Sequence, residues 1–199
     1  MSRWFWILLA VALIGWWFSP PIHFARARAP GVLVAEVPQQ HDLDHAGVFR
    51  IKDFTIVPLA DFSVTARVLS RADYRHDPEA ALSPTDLALG WERMSDSAVL
   101  ARLDIEQSSR WYTYRWSDGA PPIPKTEIIR SSANMHMIPA DATVREELAQ
   151  VRPGDIVRID GQLIQARRDD GSVWRSSMTR NDSGDGACEV VYVRSLVVQ

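Results

Sequence analysis

The first apolar stretch of the chain differs from all later ones in its length and its lack of charge. Trp4 to Phe18 run for fifteen residues without a charged side chain, and Arg3 precedes them. At 1.5 Å per residue this stretch covers about 22 Å, and extension to Phe24 approaches the roughly 30 Å of a hydrocarbon core. Tryptophans at both ends suit the two interfacial levels of a bilayer. The pattern predicts a transmembrane signal-anchor over residues 1–24, with a cleaved signal peptide as the alternative.

Alternation of apolar and polar residues predicts most of the strands that follow. In residues 62–68 every second residue is apolar, so these side chains share one face, as in a half-buried strand. Residues 110–116 are aromatic and favour a strand in which Trp111 faces away from its tyrosine neighbours. Residues 155–166 alternate in the same way, and a turn at 169–171 leads into a returning strand over 172–180 and a last one over 189–193.

Helical segments are predicted by capping residues rather than by alternation. Ser83, followed by Pro84, is typical of a helix start, so residues 82–103 are predicted as helical, with a break at Gly90 and a new cap at Ser95-Asp96. A short helix is predicted over residues 142–151, and residues 126–138 fit either a helix or a strand.

These elements predict an α+β fold. A transmembrane helix over 1–24 is followed by a tether over 25–48, which is largely polar, and by one β-rich globular domain over 49–199 with two to three short helices. Three antiparallel strands after a short helix indicate an antiparallel sheet or an OB-like barrel. The Pro153–Gly161 segment is typical of an OB-type barrel strand, in which the glycine relieves a tight bend.

Composition excludes several classes of function. The part after residue 29 holds 19 basic and 25 acidic residues, a net charge near −6, and the two signs alternate, so nucleic acid is not expected as a partner. Cys188 is the sole cysteine, which excludes an intramolecular disulfide and a zinc site built on paired cysteines. His41 and His45 have the i, i+4 spacing of metal ligands but lie in the tether without a third ligand. No metal and no cofactor is predicted.

The densest polar cluster lies in residues 174–189. On a strand, Arg175, Ser177 and Thr179 would share one face and offer a guanidinium and hydroxyls to a polar or anionic ligand. The alternative is a solvated strand face followed by a glycine-rich turn. Residues 131–136 are polar between apolar neighbours, and they either line a pocket or connect a loop to the core. The predicted binding residues are Asn134, His136, Arg175, Ser177, Arg180 and Asp185, with Trp91, Arg110 and Trp111 as second choices.

A catalytic interpretation is the alternative. His136 can act as a base for Cys188, with Asn134 or Asp185 orienting the imidazole. Nothing close to Cys188 in the sequence lowers the pKa of its thiol, so a buried structural cysteine is the competing interpretation.

Four segments resemble an uncharacterised family of bacterial proteins with one N-terminal membrane segment. They are Pro58–Leu69, Leu82–Trp91, Ser132–Pro139, and Trp174–Arg180 together with Gly186–Glu189. The resemblance extends over nearly the whole length and implies a single-pass arrangement, but no activity.

We therefore expect a membrane-anchored, extracytoplasmic binding or accessory domain without catalysis, whose partner is an envelope protein or another envelope component. The alternative is a cell-envelope hydrolase or transferase that uses His136 with Cys188 or a carboxylate. Arg3 and the terminal amine nearly balance Arg26 and Arg28 across the anchor. The short N-terminal tail favours a single-pass protein of the cytoplasmic (inner) membrane with its C-terminal domain in the periplasm.

Overall fold

The structure, a computed structural model, describes residues 4–9, 11, 24–117 and 119–199. Residues 4–9 and 11 are helical and exposed, and the rest of the predicted anchor up to residue 23 lies outside the described residues. Within the described residues, no helix has the length and apolar character needed to span a bilayer.

The described chain folds into a β-rich domain with a large mixed sheet and a few short helices. The prediction of a β-rich domain with short helices is therefore confirmed. Its strands are β1 (Gln39–Asp42), β2 (Phe49–Ile51), β3 (Phe54–Asp73), β4 (Thr85–Gly90), β5 (Asp104–Ser108), β6 (Trp111–Arg115), β7 (Ser132–Pro139), β8 (Ile156–Arg168), β9 (Val173–Arg175) and β10 (Glu189–Val198). The helices are a 3₁₀ turn (Glu92–Ser95), α1 (Ser97–Leu100), α2 (Lys125–Arg130) and α3 (Ala142–Gln150).

Five of the strands pair in a closed ring. β3 pairs with β4, β4 with β7, β7 with β10, β10 with β8, and β8 again with β3. All of these pairs are antiparallel except β7 with β10. β1 and β2 pair with the first half of β3, β9 pairs with β8, and β5 and β6 form a separate hairpin.

The main hydrophobic core lies inside this ring, because every strand of the ring sends alternate side chains inward. One buried cluster joins Phe62, Leu87, Met135, Ile159 and Val191, one from each of the five strands, with further apolar residues of the same strands and of α3. The predicted alternation of 62–68 and of 155–166 is confirmed, as is the short helix after Asp141, whose carboxylate accepts a hydrogen bond from the Val144 amide.

The prediction of a helix over residues 82–90 is wrong. Thr85–Gly90 is β4, a central strand in which all six residues are buried. A strand covered on both faces loses the period-two pattern, so its apolar run cannot be distinguished from a helix by periodicity. The second predicted cap is real but serves one turn only: the Asp96 carboxylate accepts from the Ala98 amide at the start of α1.

Two further segments take a definite form in the structure. Residues 126–138, whose sequence fits either a helix or a strand, form most of α2 and most of β7. The segment predicted as a tether packs against the domain: Val34 is buried, the amide of Arg26 donates to the carbonyl of Pro153, and β1 pairs with β3.

Candidate functional site

The candidate site lies on the outer face of β4 and β7. Leu87 and Met135 point into the core, so their strand neighbours Asp86, Asn134 and His136 lie on the opposite face. In the structure these three polar residues are almost completely buried. The β5–β6 hairpin and the segment over 174–188 contribute the side chains that contact them.

Arg110, at the turn of the hairpin, connects that hairpin to β4. Ser109 and Arg110 both have positive φ, +50° and +69°, as a tight two-residue hairpin turn requires. The guanidinium donates to Asp86 Oδ1 and to Asp77 Oδ1, both at 2.7 Å, and lies 3.8 Å from the centre of the Tyr74 ring. Since the Asp86 carboxylate is inaccessible to solvent, this is a buried ion pair that fixes the hairpin over the sheet.

His136 is held by a carboxylate and an indole. Its Nδ1 lies 2.9 Å from Asp86 Oδ1, and its ring packs against Trp174 at a centroid distance of 4.6 Å. Nδ1 is thus close to the carboxylate but forms no well-aligned hydrogen bond among the described residues, and the His136 side chain lines the adjoining cavity. That cavity measures about 160 Å³, and the side chains that line it include Arg110, Trp111, His136, Trp174, Arg175, Asp185 and Cys188.

Asn134 uses both ends of its amide to hold the hairpin against β7. Its Oδ1 accepts from Nε2 of Gln107 at 2.6 Å, and its Nδ2 donates to the carbonyl of Arg110 at 3.0 Å. The same Nδ2 lies 3.8 Å from the sulfur of Cys188. These contacts make Asn134 a residue that shapes the site.

A second cavity of about 260 Å³ adjoins the first. It is lined on one side by the hairpin, including Tyr112 and Tyr114, and on the other by the loop before β10, including Arg180 and Asp182. Trp111, Gly184 and Cys188 line both cavities. The two cavities are therefore neighbours with common walls, and we call them together the cleft: the space between the β5–β6 hairpin and residues 180–189.

Glu189 is the buried acid of the cleft. Its Oε1 lies 2.7 Å from Nε of Arg180, and its Oε2 has no hydrogen-bond partner among the described residues. Burial raises the pKa of Glu189 to about 8, although the positive charge of Arg180 acts in the opposite direction. A carboxyl group with this pKa exchanges its proton near neutral pH.

The surroundings of Cys188 disfavour the ionised thiol that a nucleophile requires. Burial raises the pKa of its thiol to about 11. At pH 8 roughly one such thiol in a thousand is ionised, whereas reactive cysteines have lowered pKa values. Cys188 and His136 line the same cavity, but the contact of the thiol is with Asn134 and that of the imidazole is with Asp86.

The cleft brings together most of the residues predicted from the sequence. Asn134, His136, Arg175, Arg180, Asp185 and Cys188 all line it. Ser177 does not: the strand predicted over 172–180 ends at Arg175, and Ser177 Oγ lies 2.7 Å from Asp182 Oδ2 inside the loop. Of the second choices, Trp91 is fully buried in the core, whereas Arg110 and Trp111 lie at the cleft.

Sequence reasoning missed the two buried acids. Asp86 lies within the segment over 82–103 that the sequence predicts as helical, and Glu189 is not among the predicted binding residues. Each has a recognisable signal: Asp86 is the one charged residue between Leu82 and Gly90, and Glu189 directly precedes the apolar run of β10. An isolated acid in an apolar strand must have a partner when buried, and here the partners are Arg110 and Arg180.

Within the described ranges, no three His, Cys, Asp or Glu side chains are grouped as metal ligands would be. No protein-family model, no curated protein and no solved structure matches this chain, so its site is interpreted from geometry alone.

Proposed function

We propose that the closed ring is an OB-type barrel and that the protein is a binding domain without catalysis. Numbered one to five in chain order, the ring strands are β3, β4, β7, β8 and β10. Around the ring they follow the order 1-2-3-5-4, and the fourth strand, β8, closes the ring by pairing with the first, β3. OB barrels bind oligonucleotides and oligosaccharides on the face of their second and third strands and on the loop between the fourth and fifth. The cleft has a related position, since β7, the third strand of the ring, and the loop between β8 and β10 both line it.

The observation that carries this proposal is the pair of neighbouring cavities that share Trp111, Gly184 and Cys188 as walls. Trp111 is 47% exposed, and an indole exposed to this extent is typical of a residue that contacts a ligand or a partner. Aromatic side chains combined with a few polar groups are typical of small-molecule and saccharide sites. The net charge near −6 after residue 29 disfavours nucleic acid. We infer a glycan-containing component of the cell envelope as the ligand.

We further propose that residues 1–24 anchor the domain in the cytoplasmic membrane and place it in the periplasm. The support is the uncharged, Trp-flanked N-terminal segment of the sequence. A C-terminal alkaline phosphatase fusion is expected to be active and to sediment with the membranes. Activity in the soluble periplasm would instead indicate a cleaved signal, and a fluorescent green fluorescent protein fusion with inactive phosphatase would place the domain in the cytoplasm.

Filling the cleft is expected to abolish binding without unfolding the domain. Ala187 lies in the loop and lines the larger cavity, so an Ala187→Trp side chain occupies the space of a ligand. The probe is the mixture of muropeptides released from purified peptidoglycan, added to the full chain in detergent micelles. We expect saturable quenching of tryptophan fluorescence with the unaltered protein and at least a tenfold loss of affinity with Ala187→Trp.

The matched control for this experiment is Ala101→Trp, an exposed alanine that follows α1 and borders no part of the cleft. It should bind like the unaltered protein. Equal binding by all three proteins would place the ligand elsewhere, and an absence of saturable binding would remove the glycan proposal.

A further inference from the structure

We propose that the larger cavity of the cleft recognises a protonated primary amine on a small ligand, with Glu189 as the residue that receives the ammonium group. This inference rests on the proposed binding function and names the chemistry of the group bound. It is argued from an unpartnered buried oxygen, from the aromatic wall and from the charges of the lining.

The first observation is the free oxygen of Glu189. The residue is 1% exposed, lines the cavity, and begins β10 opposite Met135 of the parallel strand β7. Arg180 Nε lies 2.7 Å from Oε1, and Oε2 has no hydrogen-bond partner among the described residues. A buried acceptor without a partner is costly, and a ligand N–H group at this position would satisfy it.

The second observation is the aromatic wall opposite. The rings of Tyr112 and Tyr114 lie 5.7 Å apart and tilted by 48°, and both residues line the same cavity. Burial raises the pKa of both phenols, so they stay neutral at physiological pH. Electron-rich ring faces near a carboxylate favour an organic cation over an anion.

The third observation is the charge of the lining. Its charged residues are one base, Arg180, and two acids, Asp182 and Glu189. With both acids ionised the lining carries one negative charge, and a single ammonium group makes it neutral. A ligand carboxylate or phosphate would instead add a second uncompensated negative charge to a buried site.

The size of the cavity, about 260 Å³, limits the ligand to a group comparable with one amino-acid side chain or one sugar ring. Two sources supply a primary amine of that size: an amino sugar with a free amino group and the side chain of a lysine-like residue in a peptide. Both would use the same contact with Glu189.

The test compares amines with neutral analogues of the same shape. Glucosamine is measured against N-acetylglucosamine, and Nα-acetyl-lysine methylamide against Nα-acetyl-norleucine methylamide, each by titration of the full chain in detergent micelles. We expect at least one amine to bind tenfold or more tightly than its neutral analogue, and the better amine identifies the source. Glu189→Gln, which keeps the shape of the side chain, should remove this preference.

Glu147→Gln, an exposed acid-to-amide change on α3, is the matched control and should keep the preference. Equal binding of amine and neutral analogue, or an amine preference that persists in Glu189→Gln, would overturn the proposal. A third outcome is that neither amine is preferred over its neutral analogue, while muropeptides bind and Ala187→Trp abolishes that binding. This outcome would also overturn the amine proposal, but it would leave the proposed function intact. Failure of both amines and of muropeptides would remove the proposed function itself.

A pH titration keeps the proposal testable even if Glu189→Gln does not fold. Because burial sets the pKa of Glu189 at about 8, the group must lose a proton to receive an ammonium below that pH. The affinity for the lysine analogue, whose amine stays protonated over this range, should therefore fall roughly fifty-fold from pH 8 to pH 6. The other ionisable groups facing Glu189 are Arg180, Asp182, Cys188 and Tyr112, and His136 lines the adjoining cavity. An affinity that does not fall with pH, or a fall that is lost in His136→Asn, would contradict the role of Glu189.

Discussion

Arg110→Met is expected to lower the free energy of unfolding by about 3–5 kcal/mol, because it leaves a buried carboxylate without its main cationic partner. Asp86 is inaccessible to solvent and accepts a hydrogen bond from Arg110 at 2.7 Å, and Arg110 itself is only 15% exposed. Methionine keeps an unbranched apolar stem but removes the guanidinium, and with it both the charge and the contact with the Tyr74 ring. The measurement is urea unfolding of the full chain in detergent micelles, followed by tryptophan fluorescence.

The control lies on the same hairpin. Arg115 pairs with Asp104 at 3.5 Å and with Glu106 at 2.6 Å, but it is 64% exposed. Arg115→Met should therefore change stability by less than about 1 kcal/mol. Combining Arg110→Met with Asp86→Asn should recover part of the loss, since the second change removes the uncompensated charge. If the two arginine variants were equally stable, the interaction of Arg110 with Asp86 would not be what holds the hairpin in place.

The strands that were predicted correctly are those with one buried face. β3 and β8 alternate between core and rim over much of their length, and alternation is what a sequence records of a half-buried strand. The aromatic strand β6 shows the same effect, with Tyr112 and Tyr114 directed inward and Trp111 outward. The short helix predicted over 142–151 is α3, which ends shortly before Pro153-Gly154 and whose start is capped by Asp141 in the structure.

β4 could not be predicted in the same way, because the site covers its outer face. Arg110 and the hairpin bury Asp86 from outside, while Leu87 and Leu89 face the core. The strand then has no exposed side to produce a period, and the Ser83-Pro84 pair in front of it imitates a helix cap. Burial of the outer face of β4 thus has two consequences: it makes the strand part of the site, and it removes the alternation by which the strand could be predicted from the sequence.

Ring closure depends on pairings between distant residues. β7 and β10 are parallel neighbours although β8 and α3 lie between them in the sequence. β3 reaches both β4 and β8 because it is twenty residues long and its register with β8 shifts between Pro58 and Ala60. Such a shift bends a strand and lets it pair with a different neighbour, but the local pattern of apolar and polar residues does not predict it.

Polar residues of the site were identifiable where they interrupt an apolar context. Asn134 and His136 stand among the apolar residues of β7, and this contrast marked them correctly as lying at the cleft. Ser177 was misplaced because its assignment depended on a strand that ends two residues earlier. Side chains on a loop follow the turns of that loop, which alternation cannot describe.

Gly161→Val is expected to destabilise the protein by about 3 kcal/mol or more, because there is no room for a side chain at this position. Gly161 in β8 lies between Phe62 of β3 and Val193 of β10 in the ring. A Cβ atom there would overlap the carbonyl oxygen of Tyr192, which is backbone and cannot rotate away. The register of β10 against β8 also shifts between Val193 and Ser195, next to this contact.

Gly47→Val is the matched control, since a Cβ atom at Gly47 would meet no atom within 4 Å. It should alter the free energy of unfolding by no more than about 0.5 kcal/mol in the same urea experiment. The contrast tests the ring itself: if Gly161→Val were as stable as Gly47→Val, β8 and β10 would not approach each other as described. The site would then change as well, because β10 begins at Glu189 and its position relative to β7 depends on that pairing.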